Sequence, residues 1–455
     1  MKNLNLTTAK KYFRDPEIKM ILVLFFPIFV DYLLNWSITL VHTYLVASVG
    51  EAAISGIGLV GTINNILSVI IMTLPGAVSI LISQYIGNGD YLNARRCVSQ
   101  SYIMVGLFST LVMCIMLIFP HELFSLFFST VEENTLREGL TYMRFYAVSL
   151  VFEALFQVAA CSCRGYLNAR IPLITSVSGS LVNVIVAFIL IKVFPLGVAG
   201  AGIARIACSV WRVVFSSALL KKMGWIASLS ETIHIQWKAL GSIAKLGILG
   251  SSEALIVNFG ATLKSRYVVA AGIAHTSANS IHGTLFGFLT ISVSVFASVA
   301  LSLVGKFIGM GDKETARVIT KKILVLAISS FSLICLIVYF VLPFVFPLYT
   351  QNPETLSLLD KMKVIHILLS FIAFPFVSVV NNAFKGAGDA MNCTIVSVVC
   401  MWVVNVGLGI YLTANFGLGL GVLGALISTD LSCIVKGIIY FFRFRTDKWI
   451  KKKLI

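Results

Sequence analysis

Residues 87–96 read Gly-Asn-Gly-Asp-Tyr-Leu-Asn-Ala-Arg-Arg, and residues 309–318 read Gly-Met-Gly-Asp-Lys-Glu-Thr-Ala-Arg-Val. The two stretches lie 222 positions apart, share a Gly-x-Gly-Asp turn and an Ala-Arg pair, and each follows a long apolar run. Three further matches keep the same order: Arg164–Ala169 with Lys385–Ala390, Ser180–Val184 with Trp402–Val406, and Leu196–Ala204 with Leu420–Ser428. One Gly-rich match would carry little. Four landmarks in one order describe a chain built from two similar halves.

The apolar runs around those landmarks set the class. The 455 residues are 58% hydrophobic and 12% charged, where an ordinary globular domain is about 25% charged, so a soluble enzyme is excluded. Twelve apolar segments can be drawn, at 18–46, 54–86, 94–119, 137–163, 171–194, 197–220, 241–270, 274–308, 314–347, 355–384, 391–414 and 417–442. Each is long enough to cross a bilayer as a helix, which needs about 20 residues, and several are long enough to tilt. The runs at 103–119 and 323–346 are apolar almost throughout, without the alternation of an outer-membrane barrel strand. The expected fold is an all-α membrane protein of twelve transmembrane helices. The expected division is a six-helix lobe at 1–220, a cytoplasmic linker at 221–240 carrying Trp225 and Trp237 at the interface, and a second six-helix lobe at 241–455. Six is even, so the second half enters the membrane as the first does. Parallel repeats of this kind place a substrate path between them near the midplane.

Charge sets the orientation. Lys+Arg number 35 against 19 Asp+Glu, a formal net charge of +16. The basic residues gather at the N-terminus (Lys2, Lys10, Lys11, Arg14, Lys19), at Arg95/Arg96, Arg164/Arg170, Lys221/Lys222/Lys238, 306–322 and Lys385, and in the tail from Arg443 to Lys453. All of these fall on one side, while Glu51, Glu122, Glu132, Glu133, Glu138, Glu354 and Asp360 fall on the other. The positive-inside rule puts both termini in the cytoplasm and explains the excess charge without nucleic acid. No cleavable signal precedes the first run. The nine cysteines form no ligand cluster of metal spacing and read as free thiols in apolar surroundings. No Gly-x-x-x-x-Gly-Lys-Ser/Thr loop and no His-Glu-x-x-His occurs, so neither ATP hydrolysis nor another catalytic activity is expected. No cofactor is expected either; energy comes from a proton or sodium gradient, or from the substrate's own. The expected setting is the plasma (inner) membrane, as a monomer in the lipid bilayer.

An ionisable group inside a span is a functional candidate by default. In the first segment Asp31 and Asn35 are four apart on one face, with His42 seven further on. The second half repeats the pattern, with Glu253 222 positions after Asp31 and Lys264 222 after His42. Glu153, Asn183, Asn279 and His282 complete the candidate set for substrate binding or ion coupling, and Gln157, Arg205, Arg212 and Asp430 are further polar or ionisable residues of the spans. Plainer readings stand beside these: Asn183, Asn279 and Asn405 as interhelical hydrogen-bond donors, Asp31 and Glu253 as fixed ion-pair members, Arg212 and Lys264 as snorkelling side chains, and His42 as a neutral hydrogen-bonded histidine. The glycines at 87/89 and 309/311 read as tight turns.

Pro27 in the first segment, the Gly-x-Gly-Asp turn with its copy, the Arg/Lys-Gly turns at Arg164 and Lys385, and the Gly-rich entries at Leu196 and Leu420 together resemble the multidrug and toxic compound extrusion (MATE) transporters, over nearly the whole chain. The resemblance implies V-shaped six-helix lobes that export amphipathic, commonly cationic compounds by alternating access, in exchange for protons or sodium. It also marks departures. Where such proteins often read Val-Asp-Thr this chain has Val41-His42-Thr43; where they often read Asn-x-x-x-Asp it has Asn183 and Ala187; Leu249 stands in place of a proline, and no acid accompanies Pro375. A hard cation prefers anionic oxygen, so the loss of two acids argues for protons over sodium, through Asp31, His42, Glu153 or Glu253.

Two other classes stay open. A flippase for lipid-linked precursors or organic anions, of the same larger superfamily, would use Arg205, Lys264 and Arg266 to hold phosphate. A non-transporting receptor or scaffold would explain the missing acids, although duplicated halves with polar groups at matching depths suit a passive anchor poorly. Acids and aromatics lining a cavity would favour cationic drugs, and exposed Arg205 and Lys264 would favour anions.

Overall fold

The computed structural model describes residues 15–47, 49–128, 132–228, 231, 236–414, 417–450 and 454. All twelve expected segments are helical. They form α1 (Pro16–Ala47), α2 (Glu51–Gly87), α3 (Tyr91–Ile118), α5 (Glu133–Gly165), α6 (Arg170–Phe188) with a π turn at Ile189–Val193, α7 (Gly197–Lys222) and α8 (Trp237–Ala270). A short α4 (Pro120–Phe127) precedes α5. The eighth segment is split into α9 (Ile273–Leu289) and α10 (Ile291–Met310); α11 (Lys313–Tyr349) follows. The tenth is split into α12 (Pro353–Ser370) and α13 (Ala373–Gly386), bent by 49°. The eleventh runs as α14 (Ala390–Cys400), a π segment Met401–Leu408 and α15 (Gly409–Thr413), and the twelfth is α16 (Val422–Arg445). Among the described residues, nine helices are long and apolar enough to cross a membrane, ten if the bent pair is one span.

The duplication is visible in the local chemistry. Gly89 and Gly311 take φ of +76° and +81°, a left-handed conformation that glycine alone adopts freely. The aspartates after them cap the next helix alike: Asp90 accepts from the Asn93 amide at 3.1 Å and Asp312 from the Thr315 amide at 2.9 Å, an N-cap hydrogen bond that satisfies an otherwise unpaired donor. The Arg/Lys-Gly turns match as well. A Cβ on Gly165 would lie 2.8 Å from the Ile82 side chain and 3.1 Å from the Ser79 carbonyl, and one on Gly386 would lie 2.5 Å from the Leu301 carbonyl. Ser79 and Leu301 are themselves 222 apart, so each half packs the same two helices backbone to backbone.

Two compact units result, Phe26–Ser251 and Ser252–Leu454, the latter joined by the chain up to Phe25. Both divisions fall inside helices, α1 and α8, not at the expected boundaries of 220 and 241. The physical reason at the start is that Lys322 on α11 holds Asp15 at 2.6 Å and Glu17 at 2.7 Å, while Phe25 stacks on Phe296. The linker stays with Phe26–Ser251: Arg95 pairs with Glu231 at 2.9 Å, Ser99 accepts from the Ala227 amide at 2.9 Å, and Trp225 stacks on Tyr166. Each unit has its own apolar core, one around Ile63, Met143, Leu150 and Ala201, the other around Val293, Phe331, Leu359 and Val422. All nine cysteines are free thiols, seven of them buried.

Candidate functional site

In Phe26–Ser251 the polar interior centres on Arg212 of α7. Its guanidinium lies 3.5 Å from Glu153 Oε2, donates to Asn35 Oδ1 and to Ser180 Oγ at 3.3 Å each, and sits 5.3 Å from the Phe156 ring. Asn35 in turn donates to the Asp31 carboxylate at 3.0 Å, and Gln157 to Glu153 at 3.2 Å. Asp31 also interacts with Ser176 and with Arg164. Helix α6 lets Arg212 reach this point because Gly179 carries no side chain: a Cβ there would lie 2.5 Å from Arg212 Cγ. Arg212 is 8% exposed, which corrects the snorkelling reading; it is the hub that joins Asn35 and Glu153. Arg205 lies 4.7 Å over the Tyr146 ring, whose hydroxyl donates to Asn64. Asn183 is buried, and its Oδ1 has no hydrogen-bond partner among the described residues. His42 lies in α1; its side chain falls outside the described residues.

The second unit holds three groups. Glu253 on α8 accepts from Lys385 at 3.0 Å and from Thr394 at 3.1 Å. Lys264, about three turns further along the same face of α8, is 8% exposed and donates inward to the Ala425 carbonyl at 2.7 Å, to Thr429 Oγ1 at 2.6 Å, to Asn405 Oδ1, and more distantly to Ser428. Snorkelling is therefore overturned for Lys264 too. The third group joins His282 to a pair that the candidate set leaves out. Asp430 on α16 lies 3.0 Å from Nδ1 of His366 on α12, and Asp430 is 2% exposed. The His366 ring meets His282 edge-on at 5.2 Å and Phe286 at 4.6 Å, while His282 stacks on Phe286 at 4.1 Å. The Nε2 of His282 has no hydrogen-bond partner among the described residues. Asn279, by contrast, is exposed on α9 and joins none of these groups. No cluster of three metal-ligating side chains occurs among the described residues.

Every membrane carboxylate of this set thus has a basic or imidazole partner, whereas Lys264 is hydrogen-bonded by neutral oxygens. An uncompensated charge in a span is costly, and pairing or an oxygen shell is how each charge here is retained.

The MatE family model matches residues 27–189 and 252–411, one stretch in each repeat. Among curated proteins, the probable multidrug resistance protein NorM of Thermotoga maritima is 21% identical, over 97% of this chain and 95% of its own length. The uncharacterized transporter YisQ of Bacillus subtilis is 20% identical, over 94% of both chains. Among solved structures, a mutant of the Vibrio cholerae MATE transporter VcmN superposes with a TM-score of 0.87 at 17% identity, covering 95% of this chain and 98% of its own. A MOP-superfamily transporter from Pyrococcus furiosus, described by the reverse polarity of its binding pocket, superposes with a TM-score of 0.87 at 19% identity, covering 96% and 97%. With the twelve helical segments and the duplicated turns, these matches make the chain an integral membrane protein of the MatE family of transporters.

Proposed function

We propose that this protein is a secondary antiporter that exports amphipathic, cationic small molecules by alternating access in exchange for protons, as a monomer in the plasma (inner) membrane. The observation that carries the reading is the His366–Asp430 contact at 3.0 Å in a segment of the bilayer-spanning bundle. Holding one proton between them, Asp430 and His366 are neutral overall; once that proton leaves, the pair carries one negative charge. An arriving cation stabilises that second state and a proton stabilises the first, so the two compete for one carboxylate. That competition is what antiport requires: each ligand shifts the equilibrium by its differential affinity for the two states.

The test is reconstitution in liposomes, with a cationic dye followed under an imposed pH gradient and then under a sodium gradient. Dye movement that follows the pH gradient, and that Asp430→Asn and His366→Gln each reduce about tenfold, supports the reading. Movement that follows sodium alone, or an Asp430→Asn protein that moves dye at the wild-type rate, overturns it.

A second reading, transport of organic anions or lipid phosphates, is favoured by Arg205 alone, which is partly exposed and lies over the Tyr146 ring, since Lys264 is buried among neutral oxygens. Uptake of an anionic dye in place of the cationic one selects it.

A further inference from the structure

The oxygen atoms around Lys264 have their lone pairs turned toward its Nζ. Thr429 Oγ1 and Ser428 Oγ both donate their hydroxyl protons back to the Ala425 carbonyl, at 2.8 and 2.9 Å. Those protons being committed, the two hydroxyl oxygens present only acceptor capacity to Nζ. The Ala425 carbonyl and Asn405 Oδ1 are acceptors outright. Four neutral oxygens within 3.4 Å of one cationic centre, none of them a carboxylate, form the donor set that a monovalent cation would meet if the lysine were removed. The backbone is shaped to the lysine. Asn405 sits in the π segment Met401–Leu408, a distortion that re-aims side chains and recurs at functional sites. At Gly409, where the π segment ends, a Cβ would lie 2.9 Å from Lys264 Cδ and 2.7 Å from Ser428 Oγ.

The repeat gives the cage a counterpart. Lys264, Asn405 and Gly409 stand 222 positions after His42, Asn183 and Ala187, and the matched stretches Leu196–Ala204 and Leu420–Ser428 set Thr429 against Arg205. The matched positions therefore carry a basic residue on the first segment of one half, Lys264, and on the sixth of the other, Arg205.

We propose that Lys264 is a tethered cation resident in an oxygen cage, and that gain and loss of its proton, with Thr429 and Asn405 as its partners, replace the binding and release of a free metal cation in the second repeat. An ammonium is a cation that can be discharged without leaving: the proton goes to water or to a neighbouring base, and the neutral amine loses its hold on four oxygens of α16 and of the π segment. Thr429 is exposed and Asn405 partly so, so one wall of the cage lies at the surface of the unit. The charged groups facing Lys264 are few. Asp430 acts on it from α16, and Asp430 is itself held by His366 of α12, so the ammonium and the imidazole ring share one carboxylate neighbour.

The proposal rests on proton coupling but not on the identity of the substrate, and its test has one arm that needs no transport. Melting temperatures of the purified full-length protein and of Lys264→Gln are measured from pH 5.5 to 9.5, in sodium chloride and in choline chloride. The expected result is no effect of sodium on the wild type and a difference between the two proteins that changes with pH. A difference flat in pH overturns the proposal. In liposomes, Lys264→Gln should lose about tenfold of its pH-driven dye movement and keep dye–dye exchange without a gradient within about twofold of the wild type. Loss of both activities together marks a structural lysine and also overturns it. Asn405→Asp, nearly isosteric, adds a carboxylate to the cage and should move the midpoint of the pH profile by about one unit to the alkaline side; a profile superimposed on the wild type refutes the cage. If the wild type moves no dye at all, the antiport reading fails while the melting arm still decides the role of Lys264.

Discussion

Nζ of Lys385 lies 3.0 Å from Oε2 of Glu253, and the two residues are the repeat mates of Arg164 and Asp31, which also interact. The likeness extends to a serine. Ser397 lies beside Glu253 as Ser176 lies beside Asp31, and these serines are 221 apart. The second half thus clamps Glu253 to the basic residue of its Lys-Gly turn, while in the first half Asp31 is bonded by Asn35 and feels the charge of Arg164 at the matching turn, and at both turns a glycine, Gly165 or Gly386, presses against a neighbouring backbone.

This makes Glu253 a bracing group. Lys385→Met should lower stability by about 2 kcal/mol, below the range for fully buried pairs because a quarter of the Lys385 side chain is exposed, and Lys385→Met with Glu253→Met should recover most of it. Equilibrium unfolding in mixed detergent micelles reads both. A Glu253→Gln protein that unfolds like the wild type yet loses pH-driven transport would return Glu253 to the coupling machinery.

Arg212 gives a prediction through a residue that never touches Glu153. A methyl at Gly179 would stand 2.5 Å from Arg212 Cγ and displace the guanidinium, so Gly179→Ala should mimic Arg212→Gln. Each should slow transport several-fold, and the double variant should be no slower than Arg212→Gln, since the two act through one side chain. Arg212→Lys should restore little, because an ammonium cannot reach Asn35, Ser180 and Glu153 with the planar fork that spans them. Additive losses in the double variant would separate Gly179 from Arg212.

The helices were legible and the partners were not. Long apolar runs report a span directly, so all twelve segments stand where the composition puts them, and the Gly-x-Gly-Asp turns report their geometry through the need for positive φ. Periodicity along one helix also placed Asp31 beside Asn35 and Glu153 beside Gln157. What it lacks is any register between distant helices. His366 and Asp430 are 64 positions apart, and Lys385 and Glu253 are 132 apart; nothing local to either residue names the other. The repeat was the unused signal: once Asp31 is matched to Glu253 and Arg164 to Lys385, one pair predicts the other. Arg212 was misread for a related reason, since nearness to a helix end describes an isolated helix and not one whose neighbour carries Gly179. The π segments at Ile189–Val193 and Met401–Leu408 follow from no glycine or proline pattern that distinguishes them from the adjoining α-helix.

Outside the membrane, the linker carries a pH prediction. The Ser228 amide at 3.0 Å and, behind it, the Arg95 guanidinium at 2.9 Å hold the Glu231 carboxyl below its ordinary value of 4.5. A carboxylate whose value is depressed by folding contributes stability above its ordinary value and loses that contribution as the pH falls through the folded one. The linker should accordingly stay docked on α3 at neutral pH and loosen only in acid, as the pH falls through the depressed value of Glu231. Hydrogen exchange of the amides at 225–228, corrected for intrinsic rates, checks this: Glu231→Gln should exchange faster at pH 7, and the wild type should approach it as the pH is lowered. Equal protection of both proteins at every pH would show that Ser99 and Tyr166 dock the linker unaided.

Gly409 tests the cage without altering charge. Most helical glycines gain up to about 1 kcal/mol on replacement by alanine, and at Gly283 in the same unit a Cβ would meet nothing within 4 Å, so Gly283→Ala should be neutral or mildly stabilising. Gly409→Ala should cost about 1 to 3 kcal/mol through overpacking, because its methyl would stand 2.7 Å from Ser428 Oγ and 2.9 Å from Lys264 Cδ. The lysine stem, being flexible, yields first, and Nζ leaves the Thr429 and Asn405 oxygens as it does so. Gly409→Ala should therefore lose pH-driven transport as Lys264→Gln does, although the ammonium is still present. In a Lys264→Ala background the contact with Cδ is gone and only the one with Ser428 remains, so the same substitution should cost less there. A cost that is identical in the two backgrounds would mean that the glycine serves the Ser428 packing alone and that the lysine's place in the cage does not depend on it.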